Sequence, residues 1–230
     1  MPSAADDRVQ TMCPEPGEGR APEPGTVWAV VLAGGASRRF GSDKLAASLG
    51  PRRLLELAVS GLPAGSRLIV VGPARTALDL GSAEPIRYVR EDPPGGGPAA
   101  GMIAGLIAVD AGAAADDVVL VLPGDAPRGG RAATELLAVL LDDPAADAVV
   151  GVDASGREQP LQLALRRAGV RRLMDAAGPD RGQDASARAL VAALVDRRRV
   201  GLAAELTADV DTPTDLADWA QSGSGSGPQR

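Results

Sequence analysis

The sequence predicts an α/β fold: a doubly wound, mostly parallel sheet with helices on both faces. One observation is that short apolar runs rich in Val and Ile alternate along the chain with longer stretches of helical pattern. Another is that the early runs are apolar throughout, which is typical of strands buried on both faces. Hydrophobic residues make up 45% of the chain and charged residues 23%, which indicates a folded domain rather than a disordered chain.

The elements can be assigned in order from these runs. The predicted strands are Val27–Leu32, Arg67–Val71, Ile86–Val89, Asp117–Leu122, Ala148–Val152 and Leu161–Leu165. The predicted helices between and after them are Arg52–Gly61, Ala99–Ala111, Thr134–Leu141, Val170–Ala176 and Ser186–Val195. A last helix is predicted to begin at Pro213, because proline suits a first helical turn, with Thr212 as its cap. Ligands bind beyond the carboxyl ends of the strands in such sheets, so candidate site residues are sought there.

The chain of 230 residues is predicted to form a single domain over residues 26–220. Residues 1–25 are predicted to be a disordered leader, and residues 221–230 a flexible tail rich in Ser and Gly. The leader has no apolar core, and no segment approaches the ~20 apolar residues of a membrane span. We therefore expect a cytoplasmic protein with no membrane partner, present as a monomer or weak oligomer.

The composition excludes several classes of function. A net charge of −6 and an aromatic fraction of 2% argue against a nucleic-acid partner, which needs basic patches and stacking platforms. The chain has no histidine and one cysteine, Cys13, which excludes a Ser-His-Asp triad, an imidazole metal site and an internal disulfide. Chemistry is left to Asp, Glu, Lys, Arg, Ser and Thr, to backbone amides, or to a metal ion held by oxygen ligands.

A glycine-rich loop follows the first strand, with the sequence AGGASRRFGSDK from Ala33 to Lys44. Its spacing fits neither the P-loop nor the dinucleotide-binding fingerprint. Gly34 and Gly35 would nevertheless let backbone amides approach a phosphate, because no Cβ intervenes. Arg38, Arg39 and Lys44 add positive charge, and Lys44 is the only lysine of the chain. The alternative is a solvated basic loop without a ligand.

Two acidic segments contain further candidate site residues. Asp125, in Pro-Gly-Asp-Ala-Pro, comes just after a buried strand, where a carboxylate could hold Mg²⁺ together with substrate phosphate oxygens. The alternative for Asp125 is a turn or helix cap. Asp209 and Asp211 would share one face of an extended segment and could bind metal or position a second substrate. Here the alternative is a strand-to-helix turn with a capping box between Thr212 and Asp215, and both interpretations can hold together.

The glycine-rich loop resembles the signature loop of the molybdenum cofactor guanylyltransferases, nucleotidyltransferases that share an LAGGxSxRMGxDK pattern. Phe40 stands where that family usually has Met. The resemblance covers about residues 27–219 and implies a Rossmann-like nucleotidyltransferase fold. It implies that Leu32, Ala33, Gly34 and Lys44 contact GTP, with the loop wrapped around the phosphates.

Other segments extend this resemblance. Asp125 matches the family's Mg²⁺-binding Asp in an Asp-x-Pro step, and Asp92 matches an Asp that contacts the nucleotide. The segment from Asp209 resembles the family's NVNTPEEL or DIDTPEDL. The guanylyltransferases often have Asn at these positions, and the two Asp residues here leave open whether the pair binds metal, with Asp211 as the second candidate ligand, or the pterin substrate. Gly72 stands where the family has an Asn that contacts the substrate. Residues 157–161, REQPL, resemble the QPL segment of the guanylyltransferases rather than the GHP segment of the related cytidylyltransferases.

The resemblance implies transfer of GMP from GTP to the terminal phosphate of molybdopterin, with Mg²⁺ as cofactor and release of pyrophosphate. The candidate catalytic residues are then Lys44, Asp125 and Arg38. GTP and a molybdopterin-type acceptor are the expected partners, and molybdoenzyme assembly proteins are further candidates. Two alternatives remain. One is a sibling enzyme, either a cytidylyltransferase of the same cofactor or a sugar-phosphate nucleotidyltransferase. The other is a non-catalytic GTP-binding relative.

Overall fold

The structure is a computed structural model of the whole chain. It describes residues 25–35, 40–41, 43–75, 79–82 and 84–223. The predicted leader therefore lies outside the described residues except for Gly25, and so does most of the predicted tail. The predicted single domain over residues 26–220 stays a prediction.

Strands and helices alternate through the described part of the chain. The strands there are β1 Val27–Leu32, β2 Ser48–Leu49, β3 Arg52–Arg53, β4 Arg67–Val71, β5 Arg87–Val89, β6 Val118–Pro123, β7 Ala148–Val152, β8 Glu158–Arg166 and β9 Arg197–Gly201. The helices are α1 Leu54–Val59, α2 Gly97–Asp110, α3 Gly129–Asp142, α4 Arg167–Ala177, α5 Ala187–Ala192, α6 Ala204–Thr207 and α7 Pro213–Gly223. A short 3-10 helix spans Lys44–Ala46.

Seven of these strands form one sheet in the order β5-β4-β1-β6-β8-β7-β9. Every neighbouring pair is parallel except the two pairs that involve β8, which runs antiparallel to both β6 and β7. The predicted mostly parallel, doubly wound sheet is confirmed. Strands β1, β4, β5, β6, β7 and β9 consequently all end at the same edge of the sheet.

The two faces of the sheet carry separate apolar layers. Ala29 and Val31 of β1 pack into one layer with Leu54 of α1 and Leu136 of α3. The alternate residues of β1, including Val30, pack into the other layer against α2, α4 and α5. Because both faces of β1 are covered, its sequence is apolar throughout, as expected for a central parallel strand.

The direction of β8 follows from the turn before it. The Asp153 carboxylate accepts hydrogen bonds from the Ser155 and Arg157 amides, at 2.8 and 3.1 Å, and closes a tight turn between β7 and β8. A connection this short can join antiparallel strands only, since a parallel pair needs a long crossover. The first residues of β8 therefore lie at the edge where β6 and β7 end.

Some boundaries differ from the sequence prediction. The segment predicted as one helix from Arg52 begins instead with β3, which pairs with β2 as a small hairpin, and α1 starts at Leu54. Helix α3 starts at Gly129, before the first residue of its apolar pattern. Helix α7 ends at Gly223, inside the segment predicted as a tail. Within the described residues, no helix is long and apolar enough to cross a membrane.

Candidate functional site

The glycine-rich loop leaves β1 at the carboxyl edge of the sheet and is fixed there from two sides. The Ala33 amide donates to the Val71 carbonyl at 2.8 Å, so the pairing of β1 with β4 continues into the loop. On the other side, the Gly124 amide donates to the Leu32 carbonyl at 2.9 Å. The beginning of the loop is therefore held by the ends of both neighbouring strands.

Gly72, directly after β4, allows the glycine-rich loop to lie close to the end of that strand. A Cβ atom on Gly72 would lie 2.5 Å from the Ala33 carbonyl oxygen and 3.0 Å from the Gly34 nitrogen. The φ angle of Gly72 is also positive, at 149°, a backbone conformation that residues other than glycine rarely adopt. In this structure, an Asn at position 72 would push the loop away from β4. The departure from the resembled family is thus compatible with the loop geometry of this chain.

Replacing Gly72 by alanine is expected to lower the free energy of unfolding by more than ~2 kcal/mol, because backbone strain adds to overpacking. It is also expected to weaken nucleotide binding, since the displaced atoms belong to the loop. Gly156→Ala is the matched control: Gly156 also has a positive φ, but a Cβ there meets no atom within 4 Å. Urea unfolding and GTP titration of both variants provide the measurement. Equal behaviour of the two variants would contradict the expected clash.

Lys44 joins three segments at the same edge. Its Nζ donates to Asp125 Oδ2 at 2.7 Å, to Asp211 Oδ1 at 2.9 Å and to the Val210 carbonyl at 3.1 Å. An ammonium has three hydrogens, so these contacts use its full donor capacity. The side chain is only 14% exposed. The only lysine of the chain thus binds two acidic residues that are far apart in sequence.

The acidic segment near the C-terminus is held against the Asp125 turn by the backbone. The Val210 amide donates to the Asp125 carbonyl at 3.0 Å. Helix α7 then starts with the expected capping box: the Thr212 amide donates to the Asp215 carboxylate at 2.7 Å, and the Asp215 amide to the Thr212 hydroxyl at 3.2 Å. The Asp211 amide also donates to Asp215, so the backbone that presents the Asp211 carboxylate is fixed.

Negative charge exceeds positive charge around Lys44. Burial opposes protonation of Lys44, but hydrogen bonds and charge from Asp125 and Asp211 outweigh it and raise the pKa of the amine. Asp209 shows the opposite balance. Although the residue reaches the surface, partial burial of its carboxyl and the nearby charges of Asp125 and Asp211 raise its pKa above the ordinary carboxyl value. The three carboxylates are therefore incompletely neutralised by one ammonium.

Asp209→Asn is expected to stabilise the fold slightly at neutral pH, by less than about 1 kcal/mol because the carboxyl is near the surface. A carboxyl whose pKa is raised by folding favours the unfolded state wherever it is ionised. The gain should therefore be full at pH 7, shrink as the pH falls toward the unfolded pKa of about 4, and be absent near pH ~3, where Asp209 is largely protonated in both states. Thermal unfolding in EDTA at both pH values measures it, with the exposed Asp116→Asn as control. A loss of stability at pH 7 would contradict the expectation.

The donor set of this cluster fits a magnesium ion. Mg²⁺ is bound in proteins by one or two carboxylates and completes its shell with water and substrate phosphate oxygens. Asp125 and Asp211 could provide those carboxylates, and the raised pKa of Asp209 indicates unneutralised negative charge beside them. Across the described ranges, no group of three or more acidic or cysteine side chains is arranged to hold a metal by itself. A phosphate-bearing substrate would have to supply the remaining ligands.

The other residues predicted for the site are not partners of Lys44. Leu32 ends β1, and Gly34 and Gly35 lie exposed in the loop that follows it. Asp92 is exposed in the loop between β5 and α2. Arg38 lies outside the described residues, and its predicted catalytic role stays a prediction.

Two arginines that the sequence prediction missed hold parts of the site. Arg128 follows the Asp125 turn, and its guanidinium lies 5.8 Å from the ring centre of Trp219 on α7 and 3.4 Å from Glu205 on α6. It thereby links the turn to the helix that Asp211 precedes. Arg75, between β4 and β5, contacts the glycine-rich loop. The chain is rich in arginine, so neither residue type nor spacing could have distinguished these two.

The chain is thus a doubly wound α/β protein with a glycine-rich loop after its first strand and a lysine among aspartates at the carboxyl edge, where such sheets bind ligands. The chain belongs to the MobA-like NTP transferase domain family, whose model matches residues 29–198. It is therefore a member of a nucleotidyltransferase family, and the resemblance of its loop is confirmed at that level.

Solved structures share this fold. One is a homologue of Mycobacterium tuberculosis Rv0371c, from Mycobacterium sp. strain JC1. It has 24% identity and a TM-score of 0.59, with 85% of this chain and 96% of that chain covered. Molybdopterin-guanine dinucleotide biosynthesis protein A from Archaeoglobus fulgidus has 19% identity, a TM-score of 0.59, and coverage of 86% and 98%. A CMP:2-keto-3-deoxy-manno-octonic acid synthetase complexed with CTP has 16% identity with the same TM-score and coverages. No curated protein matches the chain by sequence.

Proposed function

We propose that this protein transfers GMP from GTP to the terminal phosphate of a molybdopterin-type acceptor and releases pyrophosphate, with Mg²⁺ as cofactor. The observation that carries the proposal is the convergence of Lys44, Asp125 and Asp211 beside the glycine-rich loop. Phosphoryl chemistry of this kind needs positioned positive charge and carboxylates for a metal ion rather than a histidine base. The chain offers that combination at the edge where such sheets bind ligands.

The reaction can proceed without a protein base. A phosphate oxygen of the acceptor, already ionised, would attack the α-phosphorus of GTP in line with the bond to the β-phosphate. As the new bond forms, the bond between the α-phosphorus and its bridging oxygen breaks, and that oxygen leaves with pyrophosphate. Mg²⁺, when bound, would neutralise charge on the phosphate oxygens. Lys44 would exchange one carboxylate partner for a phosphate oxygen and stabilise the leaving group.

Two sequence segments support guanosine as the base. One is the LAGG sequence of residues 32–35, and the other is Gln159-Pro160-Leu161 at the start of β8. Gln159 pairs with Gly151 of β7, and its side chain donates to Asp153 at 2.8 Å. Because β8 is antiparallel, this segment lies at the same edge of the sheet as Lys44.

A sibling enzyme that uses another nucleotide is the second candidate. Gly72, which replaces an Asn contact of the resembled family, is the observation that favours it. A non-catalytic GTP-binding relative is the third candidate, and it would bind the nucleotide without turnover.

Pyrophosphate release separates the candidates. The chain would be incubated with molybdopterin, Mg²⁺ and each of GTP, CTP, ATP and UTP, and the acceptor product identified by mass spectrometry. We expect release with GTP and an acceptor heavier by GMP, dependent on Mg²⁺ and on the acceptor. Preference for CTP would instead identify the sibling cytidylyltransferase. If nucleotide binds without release, the assay would be repeated with sugar phosphates as acceptor: release would then identify the sugar-phosphate enzyme, and continued absence of release the non-catalytic relative.

A further inference from the structure

Arg75 connects the two ends of the glycine-rich loop. Its Nε lies 2.8 Å from Asp43 Oδ2 and its Nη2 lies 3.1 Å from Asp43 Oδ1, so the guanidinium binds that carboxylate with two parallel hydrogen bonds. Its Nη1 donates to the Ala33 carbonyl at 3.1 Å and to the Pro73 carbonyl at 3.2 Å. Ala33 begins the loop after β1, and Asp43 directly precedes Lys44 at its end.

Asp43 passes this constraint on to Lys44. The Asp43 carboxylate accepts a hydrogen bond from the Leu45 amide at 3.2 Å and caps the short helix whose first residue is Lys44. The hydrogen bond from Arg75, helped by its charge, lowers the pKa of Asp43, so the carboxylate remains ionised. A fixed Asp43 therefore fixes the backbone from which the Lys44 side chain extends toward Asp125.

Arg75 is turned toward the protein rather than toward solvent. Its side chain is only 10% exposed, and all three guanidinium nitrogens have acceptors within the protein. The Tyr88 hydroxyl donates to the Arg75 carbonyl at 3.3 Å and holds its backbone against β5. Because each guanidinium nitrogen already donates to an acceptor in the protein, Arg75 orients the loop rather than binding a ligand.

We propose that Arg75 is a positioning residue, which sets the distance between the two ends of the glycine-rich loop and so places Lys44 for the triphosphate. This role presupposes the nucleotidyl transfer proposed for the site. The paired geometry requires the planar fork of arginine, because a lysine ammonium at position 75 would keep the charge but could not bind both oxygens of Asp43 and the Ala33 carbonyl together. Arg75 thus acts through Asp43 and the loop and does not touch the reacting atoms.

The test compares Arg75→Ala, Arg75→Lys, Asp43→Asn and the double variant Arg75→Ala/Asp43→Asn. Calorimetric titration with GTP and with GMP gives the affinities, and thermal unfolding reports the fold. Arg75→Ala and Asp43→Asn are each expected to weaken GTP binding about tenfold, because a displaced Lys44 would lose a charged hydrogen bond to the phosphates. GMP binding should change much less, since the loop and Lys44 act on the phosphates beyond the first. Arg75→Lys should recover only part of the loss.

The double variant tests the connection itself. If Arg75 acts through Asp43, the double variant should bind GTP no more weakly than the Arg75→Ala variant, whereas independent residues would give additive losses. Arg198→Ala is the matched control. It removes an ion pair with Asp143, 2.6 Å apart, on β9, the outer strand farthest from β5 in the sheet. That variant should bind GTP as the wild type does.

Failure of this proposal can be distinguished from failure of the proposed function. Wild-type GTP affinity in Arg75→Ala or Asp43→Asn would overturn the positioning role and leave the nucleotidyl transfer untouched. Equal losses for GTP and GMP, with a lowered unfolding temperature, would also overturn it in favour of a purely structural role. A wild-type chain that binds no nucleoside triphosphate would overturn the proposed function, and the role of Arg75 with it.

Discussion

Replacing Lys44 by alanine is expected to lower kcat/KM for GTP by more than about tenfold, a loss of more than ~1.4 kcal/mol of transition-state stabilisation. Lys44 is the ammonium that joins Asp125, Asp211 and the Val210 carbonyl. Its removal leaves neighbouring carboxylates without a counter-charge and takes away the cation available to a leaving pyrophosphate. Steady-state pyrophosphate release, with acceptor and Mg²⁺ saturating, measures the effect.

Controls for this variant separate charge loss from a damaged fold. Lys44→Arg keeps a positive charge at the same place, and Arg198→Ala removes a positive charge from the outer strand β9. Arg198→Ala should turn over GTP at the wild-type rate, and Lys44→Arg should lie between the wild type and Lys44→Ala. A Lys44→Ala variant that unfolds as the wild type does and turns over GTP normally would refute the role of this lysine.

Asp125→Ala is expected to reduce turnover by more than about tenfold as well. The substitution removes the closer carboxylate partner of Lys44, at 2.7 Å, and one of the two candidate ligands for Mg²⁺. Its backbone carbonyl, which accepts from Val210, is unaffected, so the acidic segment should stay in place. The measurement is the rate of pyrophosphate release as a function of Mg²⁺ concentration.

The expected signature for Asp125→Ala is a lower rate together with a higher Mg²⁺ requirement. Asp143→Ala is the matched control, because Asp143 also pairs with a basic side chain but lies at the end of α3 away from the site. If Asp125→Ala retained the wild-type rate and Mg²⁺ dependence, the proposed mechanism would be wrong.

The central strands could be predicted from sequence because burial dictates their composition. The bounds of β1, β4 and β7 agree with prediction to the residue, and all three, apart from Arg67 at the start of β4, are apolar runs covered on both faces. Strand β9 was missed because Arg197, Arg198 and Arg199 give it no apolar pattern. As an edge strand it places two of these arginines on Glu158, at 3.4 and 3.1 Å, where ion pairs replace burial.

The candidate site could be predicted in part. Lys44 and Asp125 occur in segments that follow β1 and β6, which are neighbours in the sheet, so a topological rule places both at the carboxyl edge. Asp211 follows α6 rather than a strand, and its place beside them depends on the hydrogen bond from the Val210 amide to the Asp125 carbonyl. The position of Arg75 could not be inferred, because its partners Ala33 and Asp43 are distant in sequence and meet it through the packing of one loop on another. The roles of all these residues stay predictions.

Calorimetric titration tests most directly whether the carboxyl edge of the sheet is a nucleoside triphosphate site. The wild-type chain and the Lys44→Ala variant would each be titrated with GTP, CTP, ATP and UTP in the presence of Mg²⁺. We expect GTP to bind the wild type most tightly and the Lys44→Ala variant more than about tenfold less tightly. A preference for CTP would keep the site and change the nucleotide. Equal affinity of the two proteins for GTP, or no binding of any nucleotide, would contradict a site built around Lys44.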